Sequence, residues 1–332
     1  MERPFDAVLI VSFGGPQGMD DIRPFLANVL RGRRVAPERV ERVAHHYELF
    51  GGVSPLTELT LHQAEGLRAR LQTSGPEIPV YVGMRNWKPY LADTLARMAD
   101  SGVRRAIGFI AAAHRGYSSC TQYRENVRDA QAAAVAQGHA RVEVAYVGDW
   151  YLHPGFVQAN ADHVARALGR LTDDVRDRAR LVFTAHSVPL AMAQASRYRE
   201  QIAESAAGVA AALGRTDWAV VYQSRSGRPE DPWLEPDVCD YLRTERARGL
   251  EAAVLCPIGF VCDHVEVLYD LDHEAAAVCR EIGLPMARAH AVNDAPAFLD
   301  AMADTVRATW EHHRVHRVLP IVGSIALGSA SG

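Results

Sequence analysis

Three carboxylates recur at intervals of four residues in segment 261–274. They are Glu266, Asp270 and Glu274. On a helix they would share one face, where like charges repel one another, so such a row is either a solvated surface or a functional one. The row follows an apolar strand and is preceded by Asp263 and His264. Open parallel sheets bind ligands beyond the carboxyl ends of their strands, so we interpret the row as functional.

A histidine, His186, follows another apolar strand in LVFTAHSVPLA. One histidine in such a place is as compatible with a hydrogen-bonded structural role as with catalysis, and its expected position in one crevice with Glu266 favours catalysis. Imidazole and carboxylate together suit acid–base chemistry or binding of a borderline divalent metal ion. The chain has no HExxH, GxSxG, GxGxxG or GxxxxGK[ST] pattern, which argues against a zinc protease, a serine hydrolase and a nucleotide-binding enzyme.

The elements that must position these residues form a repeated series. Apolar β-rich runs alternate with amphipathic stretches, a pattern typical of an α/β fold with parallel sheets covered on both faces. The series occurs twice in the same order, so we predict two duplicated halves of four strands each. The predicted strands are 7–13, 78–83, 106–112 and 142–147, then 180–185, 218–223, 252–259 and 285–291. Predicted helices include 89–100, 124–136 and a terminal helix, 295–315, that packs back.

Two domains follow from this duplication and from the length of 332 residues. We place the boundary near residues 150–155, giving domains 1–153 and 154–332, with the site in the cleft between them.

Composition and charge exclude several classes of protein. The formal net charge of −4 argues against nucleic acid as a partner. No stretch approaches the roughly 20 apolar residues of a membrane span, and the apolar tail 318–327 is too short. Residues 1–6 run into an apolar strand without a signal-peptide pattern, so we expect a cytoplasmic protein. The five cysteines form no CxxC pair and we expect reduced thiols.

Six motifs, in order, resemble the ferrochelatase family: SFGGP, YELFGGVSPL, GMRNWKP, TAHSVP, QSRSGRPEDPWLEPD and PIGFVCDHVEVLYDLD. The resemblance implies two Rossmann-like domains of the chelatase type, each a four-stranded parallel sheet flanked by helices, and insertion of Fe²⁺ into a porphyrin in the cleft. It implies that His186 and Glu266 are catalytic and lie on opposite faces of the macrocycle. Both would also contact the metal, together with Asp270 and Glu274 on a π-helical ridge. Asp263 and His264 would support this site.

Matching the motifs of the family also implies porphyrin contacts in the first half. These are Phe13, Arg31, His46, Tyr47, Ser54 and Tyr123. Phe13 stands where some relatives have an iron-ligating tyrosine, and His46 where some have arginine. In the second half, Trp233 is either a core aromatic or one wall of the porphyrin pocket.

Details such as VSFGGP, FGGVSPL, MRNW and SSCTQYREN are most similar to actinobacterial-type enzymes, which act on coproporphyrin III rather than protoporphyrin IX. Four propionates need additional cationic and hydroxyl partners, for which Arg31, Arg115 and Ser54 are candidates. We expect coproporphyrin III and Fe²⁺ as substrates and the downstream coproheme decarboxylase as a transient partner.

No permanently bound cofactor is expected. Many relatives carry a [2Fe-2S] cluster on one internal and three C-terminal cysteines. Cys120 stands at the internal position, but no cysteine follows residue 315, so the ligand set is incomplete and we predict no cluster. Ligation by Cys256 and Cys262 is the alternative, although both stand at an apolar strand.

Three alternatives to a coproporphyrin III enzyme remain open at this point. The first is a protoporphyrin IX ferrochelatase. The second is a cobalt chelatase of the same architecture, a class that tends to use paired histidines where this chain pairs His186 with Glu266. The third is a two-domain protein that binds a tetrapyrrole without chemistry.

Overall fold

The computed structural model describes residues 3–32, 35–226 and 230–315. The end of the QSRSGRP motif, at 227–229, and the tail after residue 315, including 318–327, lie outside the described residues.

In the part of the chain that the structure describes, eight strands form two parallel four-stranded sheets, as the duplication predicts. The first sheet has the order β2-β1-β3-β4 and the second the equivalent order β6-β5-β7-β8. The strands are β1 Ala7–Ser12, β2 Val80–Met84, β3 Arg105–Ile110, β4 Glu143–Tyr146, β5 Arg180–His186, β6 Trp218–Gln223, β7 Ala253–Cys256 and β8 Met286–Arg288. All eight coincide with predicted strands. The predicted strand 252–259 ends early, at Cys256, because Pro257 follows and has no N–H for the ladder.

Helices cover both faces of each sheet, which explains why a central strand such as β1 is buried along its whole length. The α-helices are α1 Ile22–Val29, α2 Pro37–Glu48, α3 Leu56–Ser74, α4 Leu91–Asp100, α5 Gln122–Ala136, α6 Pro154–Leu168, α7 Asp173–Arg176, α8 Leu190–Gln194, α9 Tyr198–Ala212, α10 Val238–Ala247, α11 Val265–Val267, α12 Ala276–Glu281 and α13 Pro296–Val315. A 3₁₀ turn spans Met19–Asp21. The predicted helices 89–100, 124–136 and 295–315 correspond to α4, α5 and α13.

One apolar core joins the two halves. It contains strand residues of both sheets, such as Ile10 and Phe183, together with Phe298 of the terminal helix α13. Helix α13 packs against α3 in the first half and against α6 in the second. The terminal helix therefore packs back, as predicted, and holds the two sheets in a common core. The domain bounds 1–153 and 154–332 stay a prediction.

Each half has a π-helical segment after its third strand. The first, π1, is Tyr117–Thr121 and leads into α5. The second, π2, is Leu268–Ala275 and leads into α12. The π-helix over the acidic row, expected from the resemblance, is thus confirmed. Nothing in the sequence reasoning anticipated its counterpart π1.

A glycine at the α6–α13 contact tests whether this helix pairing stabilises the fold. A Cβ on Gly155 would clash with the backbone carbonyl oxygen of Ala297 in α13. We expect Gly155→Ala to lower the free energy of unfolding by about 1–3 kcal/mol because the helices must move apart. Gly208→Ala in α9 is the control, since its Cβ would meet Val157 at an ordinary 3.5 Å. Urea unfolding of both variants measures this, and equal stability of the two would contradict the packing argument.

Candidate active site

His186 and Glu266 come together at the carboxyl edge of the second sheet. His186 is the last residue of β5, and Glu266 lies in α11, shortly after the neighbouring parallel strand β7. His186 Nε2 lies 4.0 Å from Glu266 Oε2, with side-chain exposures of 33% and 45%. The two side chains therefore meet at this edge of the sheet, and solvent reaches both groups.

A backbone carbonyl fixes the tautomer of His186. Its Nδ1 is hydrogen-bonded to the carbonyl oxygen of Ser187, which can only accept. In the neutral ring the proton must then be on Nδ1, and Nε2 presents its lone pair towards Glu266. The ring is thus oriented as a base or as a metal ligand. Tyr198 donates to the carbonyl of His186 itself at 3.1 Å and ties the same loop to α9.

The 4.0 Å separation is too short for a macrocycle to lie between these two atoms. A flat ring needs van der Waals contacts of about 3.5 Å on each face, which sums to about 7 Å. In this structure the two side chains are therefore too close for a ring to lie between them. His186 and Glu266 contact each other directly, and a ring between them requires them to separate by about 3 Å.

Asp270, the middle residue of the acidic row, is buried on π2 and is 9% exposed. Burial raises its pKa to about 7, and repulsion from Glu266 and Glu274 acts in the same direction. Its carboxylate accepts hydrogen bonds from Gln223 Nε2 at 3.1 Å and from Ser224 Oγ. Asp270 therefore exchanges a proton near neutral pH.

One of the two residues that donate to Asp270, Ser224, has an unusual backbone conformation. Ser224, just after β6, has a φ of 60°, the left-handed region that a non-glycine residue rarely adopts. This conformation places the Ser224 hydroxyl against the acidic row. Strained backbone of this kind is concentrated at functional sites.

The last carboxylate of the row belongs to Glu274, an exposed residue. Partial desolvation of the carboxyl and the nearby charge of Asp237 raise its pKa. Across the described residues, no three histidine, cysteine or acidic side chains converge closely enough to hold one metal ion. The row is therefore a succession of separate carboxylates rather than a closed metal site.

The loop before Glu266 is anchored by a buried ionic cluster centred on Asp263. Its carboxylate accepts from Arg288 at 2.7 Å, from His290 at 2.7 Å and from Asn293 at 3.1 Å. Burial opposes the charge, but these hydrogen bonds outweigh it and hold the pKa of Asp263 well below its usual range. Asp263 therefore fixes the chain two residues before α11, whose Glu266 faces His186.

His264 lies close to both central residues. Burial lowers its pKa, the charge of Glu266 opposes this effect, and His186 adds to it. Its ring packs edge-on against Phe260 with centroids 5.0 Å apart. His264 is therefore a neutral neighbour of the pair.

Comparison with known proteins identifies the group to which the chain is related. The family model described as Ferrochelatase matches residues 5–310. The chain belongs to the ferrochelatase family. It is 47% identical to a ferrochelatase of Rhodopirellula baltica, with 92% of this chain and 86% of that protein covered. It is 46% identical to the coproporphyrin III ferrochelatase of Streptomyces griseus, covering 98% and 90%, and 45% identical to that of Mycolicibacterium smegmatis, covering 91% and 89%.

Solved structures show the same fold at low identity. The SirB protein of Bacillus subtilis with Fe³⁺ has a TM-score of 0.59 at 10% identity, with 94% of this chain and 98% of SirB covered. This likeness shows the two-domain chelatase architecture. Within the described residues, no helix has the length and apolarity needed to cross a membrane.

In this ferrochelatase-family chain, Phe13 and Tyr123 face a common cation. The guanidinium of Arg85 lies 5.4 Å from the centre of the Phe13 ring and 5.2 Å from that of Tyr123. Burial raises the pKa of Tyr123 to about 12, so its hydroxyl stays protonated. Sequence reasoning missed Arg85, although it lies in the MRNWKP motif at the carboxyl end of β2. Its place at the carboxyl end of a parallel strand, where ligands bind, could have identified it as a candidate site residue.

His46 contacts the acidic helix directly. Its ring stacks on Tyr269 of π2, with centroids 3.6 Å apart and planes 11° apart, and Tyr269 stacks in turn on His273. Burial, the largest contribution, lowers the pKa of His46. The stack joins α2 of the first half to π2 of the second, beside Glu266.

Two expected porphyrin contacts are buried in the structure. Tyr47 is 7% exposed and packs in an apolar cluster with Phe25, Trp87 and Val265. Ser54 is 2% exposed and packs so tightly against the chain at Gly15 that a Cβ there would clash with it. Neither side chain therefore projects into solvent.

The remaining expected contacts lie at three different places. Trp233 is half-buried and pairs through its backbone with Pro189, in the loop after His186. Arg31 is exposed after α1 and is hydrogen-bonded to Asn28 at 2.6 Å. Arg115 forms an ion pair with Asp149 at 2.7 Å and lines a groove beside β4, so it is not beside His186 and Glu266.

Asp270 gives a stability test of its raised pKa. A carboxyl with a pKa of about 7 in the folded chain and about 3.9 when unfolded stays protonated longer in the folded state, so stability falls as pH rises from about 4 to 7. Asp270→Asn removes this loss. The difference in free energy of unfolding between this variant and the wild type should therefore be about 2–4 kcal/mol more favourable to the variant at pH 8 than at pH 4. Unfolding at both pH values measures this. Exposed Asp129→Asn is the control, and a pH-independent difference for Asp270→Asn would contradict burial of the carboxyl.

For Asp263 we expect the opposite dependence of stability on pH. Its pKa is lowered on folding, so the stabilisation that its carboxylate provides is complete above about pH 4 and is lost as pH falls below that value. Asp263→Asn should destabilise the chain by about 3 kcal/mol at pH 7, because Arg288 loses a buried partner. The deficit should shrink at pH 3. Denaturation at the two pH values checks this, and a constant deficit would show that the charge is not the cause.

Proposed function

We propose that the chain inserts Fe²⁺ into coproporphyrin III. The observation that carries the proposal is the exposed pair formed by His186 Nε2 and Glu266 Oε2, with the imidazole lone pair directed at the carboxylate. Insertion of one Fe²⁺ releases two pyrrole N–H protons, so the site must supply proton acceptors. An oriented neutral imidazole is one such acceptor.

The acidic row supplies ligands for the other substrate. Hydrated Fe²⁺ must lose water before four pyrrole nitrogens bind it, and carboxylate oxygens can replace that water stepwise. Glu274, Asp270 and Glu266 lie in this order along one helix and do not converge on one point. A metal ion bound by only one or two of these carboxylates is held weakly enough to be transferred to the porphyrin. Because the pKa of Asp270 is about 7, metal binding there displaces its proton at neutral pH.

The macrocycle would lie between His186 and Glu266 after these two separate. Distortion of its plane exposes the nitrogen lone pairs, and binding energy from the rest of the ring offsets that strain. Rings already present at the site, such as Phe13 and the stacked His46 and Tyr269, offer apolar contact to its periphery.

Coproporphyrin III is favoured over protoporphyrin IX by the relatives of Streptomyces and Mycolicibacterium, whose names specify it. Its four propionates suit the exposed guanidinium of Arg31, which is positioned by Asn28. The product keeps these propionates, and they are the groups on which a coproheme decarboxylase would act. We place this step in the cytoplasm.

We further propose that the chain works without an iron–sulfur cluster. Cys120 is half-buried, and residues 316–332 contain no cysteine. Cys256 and Cys262, the alternative ligands, are buried, and burial raises the pKa of both thiols, to about 12 for Cys262. Protonated thiols are poor metal ligands.

Anaerobic metallation assays test the function. Purified protein is mixed with Fe²⁺ or Co²⁺ and with coproporphyrin III, protoporphyrin IX or sirohydrochlorin, and the visible bands are followed. We expect iron and coproporphyrin III to react fastest. Faster metallation of sirohydrochlorin by cobalt would indicate the cobalt chelatase, and binding without turnover would indicate a binding protein.

His186→Ala tests the central base. Loss of an oriented proton acceptor should reduce the rate at least about 100-fold while the melting temperature is retained. His139→Ala, which removes a histidine paired with Asp100 at the surface of the first half, is the matched control and should keep full activity. Wild-type activity of His186→Ala would remove this residue from the mechanism.

A further inference from the structure

A groove of about 1260 Å³ lies beside β4, the edge strand of the first sheet. Its walls are π1 with the first part of α5, strands β3 and β4 with the residues that flank β4, and α8 with the segment that follows it. Neither His186 nor Glu266 lines it. The volume exceeds the roughly 300–1,000 Å³ of common ligand pockets, so the groove can admit a large organic molecule.

Five guanidinium groups line this groove. They belong to Arg115, Arg124, Arg128, Arg141 and Arg197. Two of them are neutralised by acidic partners, since Arg115 pairs with Asp149 at 2.7 Å and Arg197 with Glu200 at 2.9 Å. The positive charge of the groove therefore comes from the other three.

These three cations lie along α5 and the turn before β4. Within the described residues, no carboxylate lies within 4.0 Å of Arg124 or Arg141, and Arg128 has only a loose, exposed contact with Glu125 at 3.9 Å. Arg124 lies over the ring of Tyr146 at 4.6 Å, which holds its guanidinium against the groove. Arg141 is exposed. One further acid, Glu143, lines the groove and pairs with Arg105 at 3.7 Å. The cations of this wall therefore outnumber its acids.

The floor between these cations is apolar. It includes Ile110, Val144 and Met192. Gly108 belongs to this floor because a Cβ there would clash with the side chains of Val144 and Tyr146. An apolar floor beside guanidinium groups matches a ligand with a large apolar body and several anionic groups.

The duplicated second half shows that the fold alone does not create such a surface. The equivalent place there, between π2 with α12 and the edge strand β8, has a smaller cavity of about 480 Å³. Two arginines line it. Arg288 is paired with Asp272 at 2.6 Å and with Asp263 at 2.7 Å, and Arg170 donates to the carbonyl oxygen of Arg288. The concentration of three weakly paired cations in one cavity is therefore a property of the first half.

We propose that the groove beside β4 binds a large organic polyanion, held by Arg124, Arg128 and Arg141 over the apolar floor. Two sources share this chemistry, a polycarboxylate tetrapyrrole and a nucleoside polyphosphate, because guanidinium binds carboxylate and phosphate alike. The inference does not depend on the metallation chemistry, since the groove and the His186–Glu266 site share no residue.

The test uses coproporphyrin III and ATP as separate probes of the full chain. Porphyrin stoichiometry is read from fluorescence titration and ATP affinity from calorimetry. The variants are Arg124→Ala/Arg141→Ala and the single reversal Arg141→Glu, whose exposed side chain can change without loss of folding. Arg166→Ala, at an exposed position on α6, is the matched control. Melting temperature confirms that each variant is folded.

A tetrapyrrole ligand is indicated if the wild type and Arg166→Ala bind two porphyrins per chain and the groove variants bind one. A polyphosphate ligand is indicated if ATP affinity falls at least about 10-fold in the groove variants and weakens with added salt. Unchanged binding of both probes in the variants, or no groove-dependent binding in the wild type, overturns the proposal. Metallation rates at saturating substrate should be equal in all four proteins, so a failure of catalysis would be recognised separately.

Discussion

The pairing of β5 with β7 as adjacent parallel strands is the constraint on which the site depends. Parallel neighbours end at the same edge of a sheet, so the residue that ends β5 and the loop that follows β7 must meet there. This is why His186 and Glu266, 80 positions apart in the chain, lie 4.0 Å apart. The carbonyl of Ser187 then fixes the imidazole, and Asp263 fixes the loop before Glu266.

Contacts from the first half hold this edge in place. Gln63 of α3 donates to the carbonyl of Asn293 at 2.7 Å and to Cys262 Sγ at 3.2 Å, close to the loop that carries Glu266. His46 of α2 stacks on Tyr269 of π2. His186 and Glu266 come from the second half, but the first half packs directly against the helix that carries Glu266.

Much of the fold could be predicted because it depends on local patterns. Apolar runs separated by amphipathic stretches predicted all eight strands, and the order of the motifs predicted the duplication. The π-helix at Asp270 was expected only from the family resemblance, and π1 was missed, because an i to i+5 hydrogen bond leaves no residue pattern that differs from an α-helix. The burial of Ser54 and Tyr47 and the position of Arg85 between two rings depend on contacts distant in sequence. The separation of His186 and Glu266 depends on side-chain conformation, which spacing alone does not define.

A crystal structure of the chain with coproporphyrin III bound would show where the macrocycle lies. The quantity to measure is the distance between His186 Nε2 and the nearest carboxylate oxygen of Glu266. We expect one macrocycle between these atoms and a separation that grows from 4.0 Å to about 7 Å. A porphyrin bound elsewhere while the pair keeps its contact would contradict this expectation.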